Sequence, residues 1–388
     1  MNSTLDADLT NVAWLQSLGL QAATASLSSL SDTGGLSATI QRLTVSDAQG
    51  SVRAFIVKTT ANLARSQSLG LAREALFYNS LATSSPDFVP FLPQIVYANG
   101  DMSSGEKTII MEDASESVQS GHFFGAASPH NWSKDLPALT AIADESIRKQ
   151  KTLEIARLAF EIAGTLHASF WMDRTVFEAH SWLRGADWFF RGGEAARASW
   201  TAAQEWARGT WMQTRAKIAK GESKVHWDPF FIACMDASFE KTSWDAYRAV
   251  VASPDHTFTL VHGDYHPANM MWNDKQKRLI LLDWEVVGVG SGPQDCAQYL
   301  ISHMYPDERR EAEEELLRAY YSKLDSSKYS YEKCKAEYVA GGTSRWVWLN
   351  GLMSGMIPDD WMQYFHDQLL AFIKDHGVTP DTIEMPRI

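Results

Sequence analysis

TFTLVHGDYHPANMMWNDKQKRLILLDWEVVGVGSGPQD, residues 257–295, sets two apolar runs against two groups of polar residues. The runs Phe258 to Val261 and Leu279 to Leu282 have strand character, and each delivers its polar residues at its far end. After the first come His262, Gly263 and Asp264, with Asn269 five residues beyond that carboxylate; after the second comes Asp283. A strand-loop-strand of this length is expected to bring its two ends together, so that Asp264, Asn269 and Asp283 converge. Two carboxylates and an amide crowded at one edge suit a hard, oxygen-seeking cation such as Mg²⁺ beside a general base. Singly, an aspartate after a strand is a turn residue or a helix cap, and an asparagine is loop chemistry. The D-x-x-x-x-N spacing, the flanking strands and the later aspartate together set this group apart. His262 reads as a packed histidine that props the loop.

HGDYHPAN followed by LLDWE resembles the phosphotransferase branch of the protein-kinase-like superfamily: the aminoglycoside phosphotransferase, choline kinase and ecdysteroid-kinase-like (CHK-type) families. In protein kinases the corresponding stretch reads H-R-D-x-x-x-x-N and then D-F-G, and glycine in place of the arginine fits the small-molecule branch. The resemblance implies an α+β, two-lobed protein-kinase-like fold. A small antiparallel β lobe would occupy 1–111, a hinge 112–118, and a larger, mostly helical lobe with the catalytic loop and acceptor pocket 119–388. It also implies that Asp264 is the catalytic base, that Asn269 and Asp283 hold Mg²⁺, and that ATP is the phosphoryl donor.

At 388 residues the chain can build two sizeable cores. Hydrophobic residues at 45% and charged residues at 21% describe an ordinary globular protein. A formal net charge of −12 argues against nucleic acid or an anionic membrane as the main partner, and is compatible with a cationic acceptor. Cys234, Cys296 and Cys334 are odd in number and far apart, so neither a disulfide framework nor a zinc site is expected. The start of the chain lacks a basic region followed by an apolar core, and no apolar run approaches about 18 residues. A cytoplasmic protein, monomer or homodimer, is expected.

Upstream, Met1 to Gly19 reads as a lead-in helix, followed by strand candidates Ala25 to Leu30, Ala38 to Val45 and Val52 to Thr59. A glycine turn (Ser31 to Gly35) and a hairpin signal (Asp47 to Gly50) separate them. Gly34 and Gly35 followed by Ser37 resemble the glycine-poor phosphate loop of small-molecule kinases; read alone, they form a β-turn. Lys58 is charged inside the apolar strand FIVKTT, where an ammonium is costly unless it is neutralised. Glu74, in the helical stretch Leu71 to Leu81, is its natural partner, and the pair matches the strand lysine and helix glutamate that position ATP phosphates in kinases. Arg73 could also organise that helix. Pro86, Pro90 and Pro93 mark a loop, and Lys107 to Met111 a further strand. By resemblance Met111, Glu112, Asp113 and Ala114 form the adenine-binding hinge.

From Ile142 onward the pattern is helical: Lys151 to Trp171, Ser199 to Ala219, Pro229 to Val251, Cys296 to Met304, Glu308 to Tyr321, Tyr331 to Met353 and Asp359 to His376. His167 reads as a satisfied core histidine. Asp295 would cap the helix that follows it, and it also resembles the family residue that braces the catalytic loop. Asp359, Asp360 and Trp361 read first as a capped helix start and second as groups for a cationic acceptor. The function expected is transfer of the γ-phosphoryl of ATP to a hydroxyl of a small molecule. A protein kinase is disfavoured by H-G-D and by the lack of A-P-E after Asp283; a silent nucleotide-binding scaffold is disfavoured because Asp264, Asn269 and Asp283 are all present.

Overall fold

The computed structural model describes residues 8–30, 38–124, 131 and 144–388. The glycine turn with Gly34, Gly35 and Ser37 lies outside the described residues, as does the start of the lead-in helix. The chain divides into two compact units: Met1–Val118 with Met271–Val287, and Gln119–Met270 with Gly288–Ile388.

In the first unit, β1 (Thr24–Ser29), β2 (Ala38–Ser46), β3 (Val52–Thr60), β4 (Ile95–Asp101) and β5 (Glu106–Glu112) form, among the described residues, a five-stranded sheet in the order β1-β2-β3-β5-β4. All neighbours are antiparallel. The β2–β3 hairpin turns at Asp47 to Gly50, where Gly50 takes φ 84 and its N–H donates to the Asp47 carbonyl at 3.1 Å. A left-handed residue is needed there, and glycine adopts it without strain. β4 was hidden behind the proline-marked loop: the prolines stop at Pro93, and the strand begins two residues later.

Side chains alternate across a strand. Leu43 and Val45 of β2, Phe55 and Val57 of β3 and Ile110 of β5 therefore share one face, where they bury against Leu15 and Leu20. The lead-in helix is short, Val12–Ser17, and is capped by Asn11, whose side chain accepts from the Trp14 N–H at 3.0 Å. The other face carries Lys58 of β3 beside Ile109 of β5, and by the same alternation Lys107 and Met111. Helix Arg73–Ser80 lies against β4 and β5. A Cβ at Gly100 would come within 2.7 Å of the Ala72 carbonyl oxygen, so the close crossing requires glycine.

Residues 271–287 belong to this unit. Arg278–Leu281 pairs with Met270–Asn273, whereas Thr259–Val261 pairs antiparallel with Gly288–Gly290. The two apolar runs of the opening stretch are thus not partners. Each takes a different strand, because a short local hairpin, turned by Lys277 at φ 50, closes at less entropic cost than a longer loop. Past the hairpin, Trp284 stacks on Phe77 with ring centroids 4.1 Å apart and meets Phe88 edge-on at 5.6 Å. Such aromatic pairs contribute about 0.5–1.5 kcal/mol beyond area burial.

The second unit is mostly helical. Helix Glu145–Ser169 buries Ile155, Ala159, Phe160, Ala163 and Leu166, a stripe at helical spacing, and begins at Asp144, whose carboxylate accepts from the Ser146 N–H at 2.8 Å. Helix Gly193–Ala219 packs against Tyr331–Met353, which also packs on Pro293–His303 and Asp359–Asp375. Pro229 to Val251, expected as one helix, is two: Pro229–Glu240 and Trp244–Val251. Ser243 between them is extended at φ −150 and caps the second by accepting from the Ala246 N–H. A cap of this kind is worth about 1 kcal/mol. Among the described residues no helix is long and apolar enough to cross a membrane.

Candidate active site

Three segments far apart in the first unit meet at one ammonium. The Lys58 Nζ lies 2.8 Å from Glu74 Oε2, 3.0 Å from Asp283 Oδ1 and 3.1 Å from Glu285 Oε1. Strand parity aims Lys58 at the face that carries helix Arg73–Ser80, and Glu74 lies in the first turn of that helix. Arg73 joins from the same turn: its guanidinium donates to the Glu285 carbonyl at 3.0 Å. Asp283 follows Arg278–Leu281 with φ 64, a left-handed conformation uncommon outside glycine and best tolerated by Asn and Asp. Strain of this kind persists only where the surroundings impose it.

Burial alone would depress the pKa of Lys58, but Asp283, Glu74 and Glu285 raise it well above its ordinary value. Burial also opposes the charge of Glu74, yet Lys107 and Lys58 outweigh it and bring the carboxyl down to about 2. Asp283 goes the other way. Burial lifts its pKa, Lys58 resists, and the like charges of Glu285 and Glu74 add to the rise. Two members of this group, Lys107 and Glu285, were missed in the sequence. Lys107 follows from parity, being two residues from Ile109, the cross-strand neighbour of Lys58; Glu285 lies past the left-handed Asp283, where strand alternation no longer applies.

The oxygens that could hold a hard cation here already pair with the Lys58 and Lys107 ammoniums. Oxygens of Glu74, Asp283 and Glu285 all lie within 4.8 Å of one another. Glu74 Oε1 is buried without a hydrogen-bond partner among the described residues, while the Asp283 side chain keeps 38% exposure.

The residues expected to form a hinge, Met111 to Ala114, lie within the first unit. Met111 is buried in β5. The Glu112 N–H donates to the Gln94 carbonyl at 2.9 Å, and its carboxylate pairs with Arg278 at 3.2 Å. Asp113 pairs with Arg42 at 2.8 Å, and the Ala114 carbonyl accepts from the Ser117 N–H at 2.8 Å.

In the second unit Asp264 sits in a different environment. Its Oδ1 accepts from Gln298 Nε2 at 2.8 Å and its Oδ2 from Asn269 Nδ2 at 3.0 Å, with His266 Nε2 3.3 Å from Oδ2. Asn269 Nδ2 also reaches the Asp264 carbonyl at 3.0 Å, which leaves Oδ1 as the atom this side chain can offer a cation. Burial works against the charge of Asp264, but His266, His262 and Arg345 hold its carboxyl below the usual carboxylate range. Gly263, at φ 80, turns the chain just before it, and Arg345 Nη2 donates to the Gly263 carbonyl at 3.0 Å.

Asp295 is not a helix cap. The helix Pro293–His303 begins after Gly292, and Asp295 lies inside its first turn. Its carboxylate instead accepts from the His262 N–H at 2.7 Å and the Gly263 N–H at 3.2 Å, so two loop amides outcompete the helix's own. His262 is buried, and its Nδ1 accepts from the Asp264 N–H at 3.3 Å. His167 is buried too, with Tyr320 Oη 3.1 Å from Nδ1 and Asp295 3.4 Å from Nε2.

Residues 211–331 match the ecdysteroid kinase-like family. The ecdysteroid kinase-like segment includes Asp264, Asn269, Asp283 and Asp295; Lys58, Glu74 and Lys107 lie upstream of it. A search of curated proteins finds no match to the chain. Among solved structures the chain is similar to a choline/ethanolamine kinase family protein from Mesorhizobium loti, at 14% identity over 91% of this chain and 90% of that one, TM-score 0.46. It is also similar to the choline kinase LicA from Streptococcus pneumoniae, at 13% identity over 90% and 93%, TM-score 0.39. A third is the macrolide 2'-phosphotransferase MphH from Brachybacterium faecium, at 14% identity over 93% and 96%, TM-score 0.39. The chain itself places an antiparallel sheet in its N-terminal part and mostly helices after it.

Proposed function

We propose that the protein is an ATP-dependent phosphotransferase that moves the γ-phosphoryl of ATP to a hydroxyl of a small molecule. The observation that carries this reading is the meeting of Lys58, Glu74 and Asp283 within 3.0 Å contacts, drawn from a strand, a helix and the residue after LILL. Nucleotide chemistry calls for such a set, because it needs a cation for the phosphates and an acid for the metal. The match of residues 211–331 to the ecdysteroid kinase-like family supports the same reading.

In this mechanism Lys58 turns from Asp283 to the phosphates, held in place by Glu74. Asn269 Oδ1 and Asp283 would hold Mg²⁺, which would neutralise charge on the transferring group. Residues 111–114 flank the adenine. Asp264, fixed by Gln298, Asn269 and His266, orients the acceptor hydroxyl. A bond forms from that hydroxyl oxygen to the γ-phosphorus, the bond from phosphorus to the β,γ-bridging oxygen breaks, ADP leaves, and the hydroxyl proton passes to Asp264. Base catalysis of this kind contributes about 10²–10⁴ in rate.

The test is transfer from γ-labelled ATP to a panel of aminoglycosides, amino alcohols and hydroxylated steroids, with a casein-like protein as the protein-kinase control. Labelling of a small molecule, abolished in Asp264→Asn, supports the reading. Purified protein that neither binds Mg·ATP nor hydrolyses it would leave it without foundation.

A further inference from the structure

Among the members of the buried charge cluster to which the proposed chemistry assigns no part is Lys107. Its Nζ lies 2.7 Å from Glu74 Oε2 and contacts Glu285 Oε1, the same two oxygens that Lys58 holds at 2.8 and 3.1 Å. The four groups form a closed square in which charges alternate and each carboxylate oxygen bridges two ammoniums. The Lys107 side chain is 0% exposed, whereas that of Asp283, attached to the square only through Lys58, is 38% exposed. Lys107 cannot touch a substrate from there. It can act only through Glu74 and Glu285.

We propose that Lys107 is a positioning residue, the fixed counter-ion that neutralises Glu74 and Glu285 so that Lys58 is available to a polyphosphate. The charges show why. With Lys107, two ammoniums face two buried carboxylates, and Asp283 alone is in excess. Without it, Lys58 faces three carboxylates whose oxygens lie within 4.8 Å of one another. In a buried setting that excess of two negative charges holds Lys58 inward, repels phosphate and attracts a cation. The part that concerns nucleotide rests on the reading proposed above; the part that concerns a metal ion does not.

The test compares Lys107→Met with the charge-balanced double variant K107M/E285Q and with E285Q. In millimolar Mg²⁺ or Ca²⁺ without nucleotide, K107M should gain a thermal shift over a sodium control of equal ionic strength, and wild type and K107M/E285Q should not. In titrations with Mg·ATP, K107M should bind at least about tenfold more weakly and the double variant within about threefold of wild type, as expected if net charge is what Lys107 supplies. In turnover, the K107M defect should fall on KM for ATP rather than on kcat. Where K107M alone does not fold, K107M/E285Q against E285Q carries the comparison. A folded double variant that binds Mg·ATP tenfold more weakly than wild type overturns the proposal. So does a double variant that fails to fold where E285Q folds, since the role is then packing, and so does a folded K107M with neither cation binding nor nucleotide defect. If wild type binds no nucleotide, the proposed function fails, while the cation experiment still decides the role of Lys107.

Discussion

Asp264 and Asp283 are both aspartates that follow a strand, yet their surroundings push them in opposite directions. Asp264 is held by an amide on each oxygen and a nearby imidazole, and its carboxyl is kept below the usual range. Asp283 is strained at φ 64, paired with one ammonium and crowded by two like charges, and its carboxyl is raised. The first is satisfied without any ligand. The second is not: like charges from Glu74 and Glu285 press on it, and the Lys58 ammonium answers them. The contrast suits the roles proposed for them, a fixed base and a metal ligand.

Neutralising each aspartate tests this contrast. Asp264→Asn should lower kcat by about 10²–10⁴ while leaving Mg·ATP affinity near wild type, as single-turnover kinetics and calorimetry would show. Asp283→Asn should instead weaken Mg·ATP binding by at least about tenfold, from the loss of a charged metal ligand. Their effects on the ligand-free protein should differ in sign. D264N should lower the unfolding midpoint, because the charged form is favoured in the fold, and D283N should leave it unchanged or raise it, because there the charged form is disfavoured. Equal shifts would erase the distinction.

Acid supplies the next measurement. Glu74 titrates at about 2 in the fold against an ordinary value of 4.5. Its contribution, about 3 kcal/mol by linkage, is therefore complete above pH 4.5 and is lost as pH falls towards 2. Asp283 opposes it, since its raised carboxyl takes up a proton at higher pH and relieves repulsion. Glu74→Gln should flatten the acid limb of a denaturant-midpoint profile over this window. The smallest effect is expected at Gln298, which donates one of the hydrogen bonds to Asp264. Gln298→Leu should move the acid limb of kcat/KM upward by less than about one pH unit, with ATP affinity unchanged.

Much of the fold was legible because its signals are local. Lys58 in FIVKTT, the glycine of the β2–β3 turn and the apolar stripe of Glu145–Ser169 each declare themselves within a dozen residues. The failures share a cause. The two apolar runs of residues 257–295 do not pair with each other, because each finds a partner of its own in Gly288–Gly290 or Met270–Asn273. Asp295 does not cap its helix; of its two readings the loop brace holds, because the loop amides of His262 and Gly263 claim its oxygens. Pro229 to Val251 breaks because Ser243 caps a new start. In each case the pattern named a residue correctly and left open which of several nearby groups would win its hydrogen bonds.

What the order of residues settled was chemical identity: an aspartate and an asparagine at D-x-x-x-x-N spacing, an aspartate after a second apolar run, and a lysine where an apolar strand should have none. Such properties depend on type and spacing, which are written in the chain. Environment was settled by folding. Whether a carboxylate meets amides or ammoniums, and whether a lysine such as Lys107 is a surface charge or the buried half of an ion square, depends on contacts between segments more than thirty residues apart. The energy of a charge is set by what surrounds it within a few ångströms, and those neighbours exist only once the sheet, the helix and the returning strand have come together.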